Sequence, residues 1–197
     1  MSTKLVIDIS GWQRDIDWDA VVGAGVKGVI IKISEGTTVE SSWWNHLSNT
    51  EAYGLPWGVY CYGHATTPEE ARAEANEVLY LLDGRVPPMG IWYDVEDPDM
   101  FQYDVDTTAC ASAFISFLNE HGMSCNIYTS SLKCTDYMTN SIRPRLLADY
   151  VSWWIADYTG KCQFAQMYPD KKLAGWQYSD KEYIGNTNVD MNEWYLD

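Results

Sequence analysis

Short runs rich in Val, Ile, Leu and aromatic residues recur along this chain, and in its first two thirds helical stretches separate them. The runs cover residues 4–10, 27–34, 56–62, 89–96, 124–129, 151–157, 172–179 and 189–192. Near-continuous apolar runs of this length read as strands buried on both faces. Helices are expected at 17–25, 40–53, 67–83, 107–120 and 143–150. The third is the best specified: Thr67 offers an N-cap, Pro68 fits the first turn and Glu70 completes a capping box. Ala71, Ala75, Val78, Leu79 and Leu82 then form its apolar face, and Asp83-Gly84 ends it. Strand–helix alternation predicts βα units on a parallel sheet. Eight strands in one domain favour closure into a barrel. The helices thin out after residue 150, and 197 residues fall short of the usual eight-fold barrel of about 250. The expected fold is therefore an α/β, irregular TIM-like (β/α)8 barrel with some helices short or missing, one domain over residues 1–197. No Gly-rich phosphate loop follows the first run, which argues against an open dinucleotide-binding sheet.

Polar residues close these apolar runs: Asp8, Lys32 with Glu35, Tyr62 with His64, Asp94 with Glu96, Tyr128, Asp157, Gln177 with Tyr178, and Asp190. In parallel barrels the C-terminal strand ends build the active face. Burying so many polar groups unpaired would cost free energy, so the set predicts a polar, acid-rich cleft. Its centre is the run IWYDVEDP at 91–98. Strand alternation puts Trp92, Asp94 and Glu96 on one face and Ile91, Tyr93 and Val95 on the other. Two same-side carboxylates suit general acid–base work. Read alone, Glu-Asp-Pro-Asp is equally a turn.

Ten Trp and fourteen Tyr suit stacking on sugar rings as well as plain packing. A formal net charge of −15, with no basic run, argues against nucleic-acid binding. No apolar run approaches membrane-spanning length. Five cysteines without C-x-x-C spacing predict buried, reduced thiols rather than disulfides or zinc. His46, His64 and His121 lack metal-ligand spacing, so neither metal nor cofactor is expected. No charged-then-apolar leader precedes the first strand, so synthesis in the cytoplasm without a signal peptide is expected.

In chain order the motifs resemble glycoside hydrolase family 25, the Chalaropsis-type lysozymes, which include many phage endolysins. The matching segments are Asp8-Ile9-Ser10 with Trp12-Gln13, GVIIKISEG at 28–36, Gly58-Val59-Tyr60, and Trp92 to Glu96. Ile127-Tyr128-Thr129, Trp154 to Tyr158, Trp176-Gln177-Tyr178 and Val189 to Asn192 follow. The resemblance implies hydrolysis of the β-1,4 bond between N-acetylmuramic acid and N-acetylglucosamine in bacterial peptidoglycan strands, reached after release from the cell interior. It implies Glu96 as general acid, with Asp94, Asp8 and Asp190 as the surrounding acids. Those acids give a physical reason for a protonated Glu96, since like charge raises a carboxyl pKa. Asp94 remains open between nucleophile, water-activating base and a group orienting the substrate's N-acetyl, the last favoured. Lys32, Glu35, Tyr60, Tyr62, Tyr128, Trp154, Asp157, Gln177 and Tyr178 are the expected substrate contacts. One departure is local: the family often has Tyr-His after the third strand, where this chain has Tyr60-Cys61-Tyr62-Gly63-His64. A wall-binding domain beyond residue 197 is a further expectation. The competing readings are a non-catalytic wall-binding module and a chitinase-like barrel glycosidase.

Overall fold

The computed structural model describes residues 3–196. Eight strands close into a barrel. They are β1 (Lys4–Ile9), β2 (Val29–Glu35), β4 (Trp57–Tyr62), β5 (Ile91–Asp94), β6 (Cys125–Ser130), β7 (Ser152–Ala156), β8 (Lys172–Ile184) and β9 (Thr187–Trp194). A two-residue strand, β3 (Thr38–Val39), hangs on the outer edge of β2. From β2 through β4, β5, β6 and β7 to β8 every pairing is parallel, and β1 joins β2 in parallel as well.

The sheet is not parallel throughout, as the alternation predicts. β8 turns directly into β9, which runs antiparallel to both β8 and β1 and so closes the ring. This reverses one expectation: Asp190 lies near the start of its strand, and the reversed direction is what brings it to the same mouth as the C-terminal ends of the others.

Among the described residues five helices accompany the strands: α1 (Trp18–Gly23), α2 (Trp43–Ala52), α3 (Pro68–Leu82), α4 (Thr107–Glu120) and α5 (Gln163–Met167). The capping box at Thr67 and Glu70 forms as the sequence predicts. The short helix expected at 143–150 is only a 3-10 turn, Pro144–Leu146, within an irregular crossover from β6 to β7. The five-residue α5 was not anticipated, and no helix lies between β8 and β9.

Strand alternation splits the apolar residues into two layers. Ile91, Tyr93 and Val95 join the outer layer beneath the helices, together with Phe114 and Val78. Trp92, Trp154, Trp194, Val6, Ile30 and Tyr128 fill the barrel itself. Gly175 makes that filling possible: a Cβ there would lie 2.5 Å from the Trp194 ring. All five cysteines are unpaired, and four are buried. Among the described residues, no helix is long and apolar enough to cross a membrane.

Candidate active site

The strand ends enclose a cavity of about 190 Å³ at the barrel mouth, lined by Asp8, Ser10, Trp12, Lys32, Tyr60, Tyr62, Asp94, Glu96, Tyr128, Trp154 and Asp190. A larger hollow of about 520 Å³ lies at the opposite end of the barrel, between Trp92, Trp194 and Lys27. Among the described residues its lining contains no carboxylate, whereas Asp8, Asp94, Glu96 and Asp190 line the smaller cavity.

Each acid reaches this cavity by strand register. Asp94 is the last residue of β5, opposite Tyr62 of β4 and Tyr128 of β6. Glu96 follows two residues later, held by the Val95 N–H donating to the Tyr128 carbonyl at 2.9 Å. Asp8 on β1 sits directly opposite Asp190 on β9. The Asp8 carboxylate accepts from Asn192 Nδ2 at 2.8 Å and Gln177 Nε2 at 3.0 Å. Gln177 Nε2 also reaches Asp190 at 3.3 Å. A register shift between Lys32 and Ser34 marks a bulge in β2. Lys32 pairs with Glu35 beyond it and lies 5.0 Å from the Tyr62 ring centroid.

Burial and crowding raise all four carboxyls. Asp94 is driven well above the usual range by burial, then by Glu96 and Asp8, with Lys32 opposing. Burial and then Asp190 raise Glu96, against Lys133 and Lys32. Asp190 is raised by burial and by Asp8. Asp8 is raised by burial, although hydrogen bonds from Asn192 and Gln177 pull it back. Asp94 Oδ1 is buried without a hydrogen-bond partner. An unpaired buried acceptor is costly, and Asp94 is one of the residues that line the cavity.

A carboxyl whose folded pKa lies above its unfolded value binds more protons in the native state. Its stabilising contribution is complete below the unfolded pKa of about 4 and falls as the pH rises through the raised value. Asp190→Asn is therefore expected to raise the melting temperature at pH 8 by several degrees and to leave it nearly unchanged near pH 3.5. Calorimetry across a pH series measures that difference.

The expected substrate contacts divide. Lys32, Tyr60, Tyr62, Tyr128 and Trp154 line the cavity, but Trp154 is only 1% exposed and belongs to its floor. Glu35 stands at the rim with His64, whose Nε2 lies 3.3 Å from Glu35 and whose Nδ1 lies 2.8 Å from Asp97. His64 is not among the cavity-lining residues. Three of the expected contacts lie outside the cavity lining. Tyr178 packs on the outer layer, because adjacent strand residues cannot both point inward. Asp157 is buried away from the cavity and organises the loop before α5, accepting from Ser131, Thr159 and the Gln163 N–H. Burial opposes its ionisation, but these bonds outweigh it and hold the carboxyl below its ordinary value. Gln177 is 1% exposed and lies behind the acids. Ser10, Trp12, Tyr158 and Asn192 were missed as contributors to the site. Period-two alternation along β9 would have found Asn192, which shares the inward face with Asp190 and Trp194.

Carboxylates grouped at the mouth of a closed barrel, two of them two residues apart at one strand end, define the class of barrel hydrolases that act through acid–base chemistry. The family model for glycosyl hydrolases family 25 matches residues 7–187, and the chain belongs to that family. Over 190 residues it is 26% identical to an autolytic lysozyme of Clostridium acetobutylicum, covering 95% of this chain and 54% of that protein. Among solved structures it resembles the modular autolysin LytC of Streptococcus pneumoniae, with a TM-score of 0.81 and 23% identity over 98% of this chain and 47% of the other. The CTP1L endolysin is similar too, with a TM-score of 0.80 and 25% identity, covering 98% and 66%. The chain spans about half the length of the first two of these relatives.

Proposed function

We propose that this chain is an N-acetylmuramidase that cleaves the β-1,4 bond between N-acetylmuramic acid and N-acetylglucosamine in bacterial peptidoglycan. The carrying observation is the acid arrangement: Glu96, raised by burial and Asp190, lies at the cavity wall beside a buried Asp94 with an unpartnered oxygen. Glycoside cleavage needs a proton on the leaving oxygen and negative charge near the developing oxocarbenium ion. Glu96 supplies the proton and afterwards accepts one from water. The Asp94 carboxyl accepts the N–H of the substrate's acetamido group and turns its carbonyl toward the anomeric carbon. The Asp8–Asp190 pair holds negative charge at the cleft, and Lys32, Tyr60 and Tyr62 contact the sugars. The family membership and the lysozyme relative support this substrate class.

The biological setting of the proposal is host lysis by an enzyme made in the cytoplasm and released onto the wall. The greater length of the modular relatives supports a wall-binding module following this domain in the whole protein.

Trp12 is the proposed stacking platform. It is 90% exposed, and the Ser10–Gln13 capping box holds the turn that carries it at the cavity edge. An aromatic contact of about 1 kcal/mol corresponds to roughly a fivefold change in affinity. Trp12→Ala is expected to raise KM about fivefold, with kcat within a factor of two and an unchanged melting temperature, as read by steady-state kinetics on soluble glycan fragments.

Dye release from labelled peptidoglycan and from labelled chitin, run in parallel, tests the reading. Release from peptidoglycan with at most traces from chitin is expected. Release from chitin alone would move the chain to a chitinase-like function, and binding without release from either would make it a wall-binding module.

A further inference from the structure

We propose that Gln177 is a positioning residue that seats one shared proton between Asp8 and Asp190 and thereby sets the charge presented to Glu96. The inference concerns the site of the muramidase reading and rests on that reading for its consequence in catalysis, though not for its geometry.

The Gln177 amide has no path to a substrate: the residue is 1% exposed, inward-facing on β8, behind both acids. Its carbonyl oxygen accepts from Tyr128 Oη at 2.8 Å and Tyr158 Oη at 2.6 Å. A phenol has one hydrogen to give, so two tyrosines orient the oxygen end of the amide. The nitrogen end is then directed at the acids, with one hydrogen for Asp8 Oδ2 at 3.0 Å and one for Asp190 Oδ2 at 3.3 Å. Asn192 adds a second N–H to Asp8 Oδ2 at 2.8 Å. Its own orientation is set by Trp154 Nε1 donating to its oxygen at 2.6 Å, and by its nitrogen donating to the Val6 carbonyl at 3.1 Å.

Asp8 thus receives two N–H groups and Asp190 one. Hydrogen bonds to the charged form favour ionisation, so the charge settles on Asp8 and the proton on Asp190. The two carboxyls face each other across strand register, and a single amide nitrogen reaches both, so two full charges would crowd one buried site and one shared proton relieves that repulsion. A pair of this kind titrates as a unit. The groups that face it are Glu96 and Asp94 from β5 and the turn beyond, Tyr60 from β4, Tyr128 from β6, Tyr158 beyond β7, Asp180 on β8 and Lys32 from β2. The site therefore holds one negative charge at the Asp8–Asp190 pair rather than two. An apolar side chain of the same size would fill the space but leave two phenols without their acceptor and take one N–H from each carboxyl.

The experiment follows side-chain carboxyl carbon signals by NMR across pH in ¹³C-labelled protein, alongside kinetics on peptidoglycan fragments. In the wild type, Asp8 and Asp190 are expected to titrate in two separated steps. In Gln177→Met the lower step, the ionisation of Asp8, should move up by about one pH unit, the order expected for losing one N–H bond to a carboxylate. The kcat should fall at least tenfold, with KM within about threefold. Gln177→Leu removes the donors without adding a titratable group. It should move the same step upward, and it carries the test if the Met variant does not fold. Two independent wild-type titrations in the ordinary carboxylate range overturn the proposal. So does an unmoved lower step in either folded variant, or a tenfold higher KM with kcat retained, which would make Gln177 a substrate contact. The titration needs no substrate, so failure of the muramidase reading would leave its result intact.

Discussion

Glu96→Gln is expected to lower kcat on peptidoglycan by about 10²–10⁴-fold, the usual contribution of a general acid, with KM changed no more than a few-fold. Glutamine keeps the shape of the side chain and its place at the cavity wall but has no acidic proton. The variant should also melt no lower than the wild type. Glu96 is a carboxyl raised by burial and by Asp190, and removing such a group relieves a cost that grows as the pH rises above about 4. The pair of results is diagnostic: lost turnover with retained or improved stability separates a chemical role from a structural one. The wild-type pH profile carries the same sign. Activity needs protonated Glu96, so it should persist to higher pH than an ordinary glutamate would allow and fall as the pH passes through the raised value. Steady-state rates from pH 4 to 9, with calorimetry on both proteins, read all of this.

Trp154→Ala should be the most destabilising change in the barrel, by about 3–5 kcal/mol, or roughly 10 °C in melting temperature for a domain of this size. The Trp154 ring lies 4.3 Å from the Tyr128 ring, 5.9 Å from Trp92, 6.0 Å from Trp194 and 6.4 Å from Tyr60, centroid to centroid. Those rings are the filling of the barrel, and alanine would leave a cavity among them. The indole also donates to Asn192 Oδ1 at 2.6 Å, so its loss frees the amide that fixes Asp8. Activity should fall beyond what the unfolded fraction explains. Trp154→Phe keeps most of the packing and loses the N–H, for which about 1–2 kcal/mol is expected. Thermal melts of the three proteins, with activity normalised to the folded fraction, separate filling from hydrogen bonding.

The strands and their faces were legible because the chain repeats one simple pattern. Trp92 and Asp94 point inward and Ile91, Tyr93 and Val95 outward, as period-two alternation requires. The helix at Pro68–Leu82 was legible because its start is written in capping residues. The direction of the last strand was not. Gly185-Asn186 is a two-residue hairpin signal, and Gly185 has φ +60. The polar stretch DKEY before it hides that β8 runs on to Ile184. At the site, listing polar residues by position along the chain found the acids but took Tyr178 and Asp157 with them. Position alone does not carry facing, and one of these packs outward while the other braces a loop. Trp12 escaped because it lies on a turn outside any strand, where no periodicity marks it.

The most direct test is the chemical identity of the new reducing end. Purified peptidoglycan would be digested with wild-type protein and with Glu96→Gln, reduced with borohydride, hydrolysed and analysed by mass spectrometry. Muramicitol formed by the wild type, and reduced at least a hundredfold with Glu96→Gln, is the predicted result. Glucosaminitol in its place, or muramicitol undiminished in the variant, would contradict it.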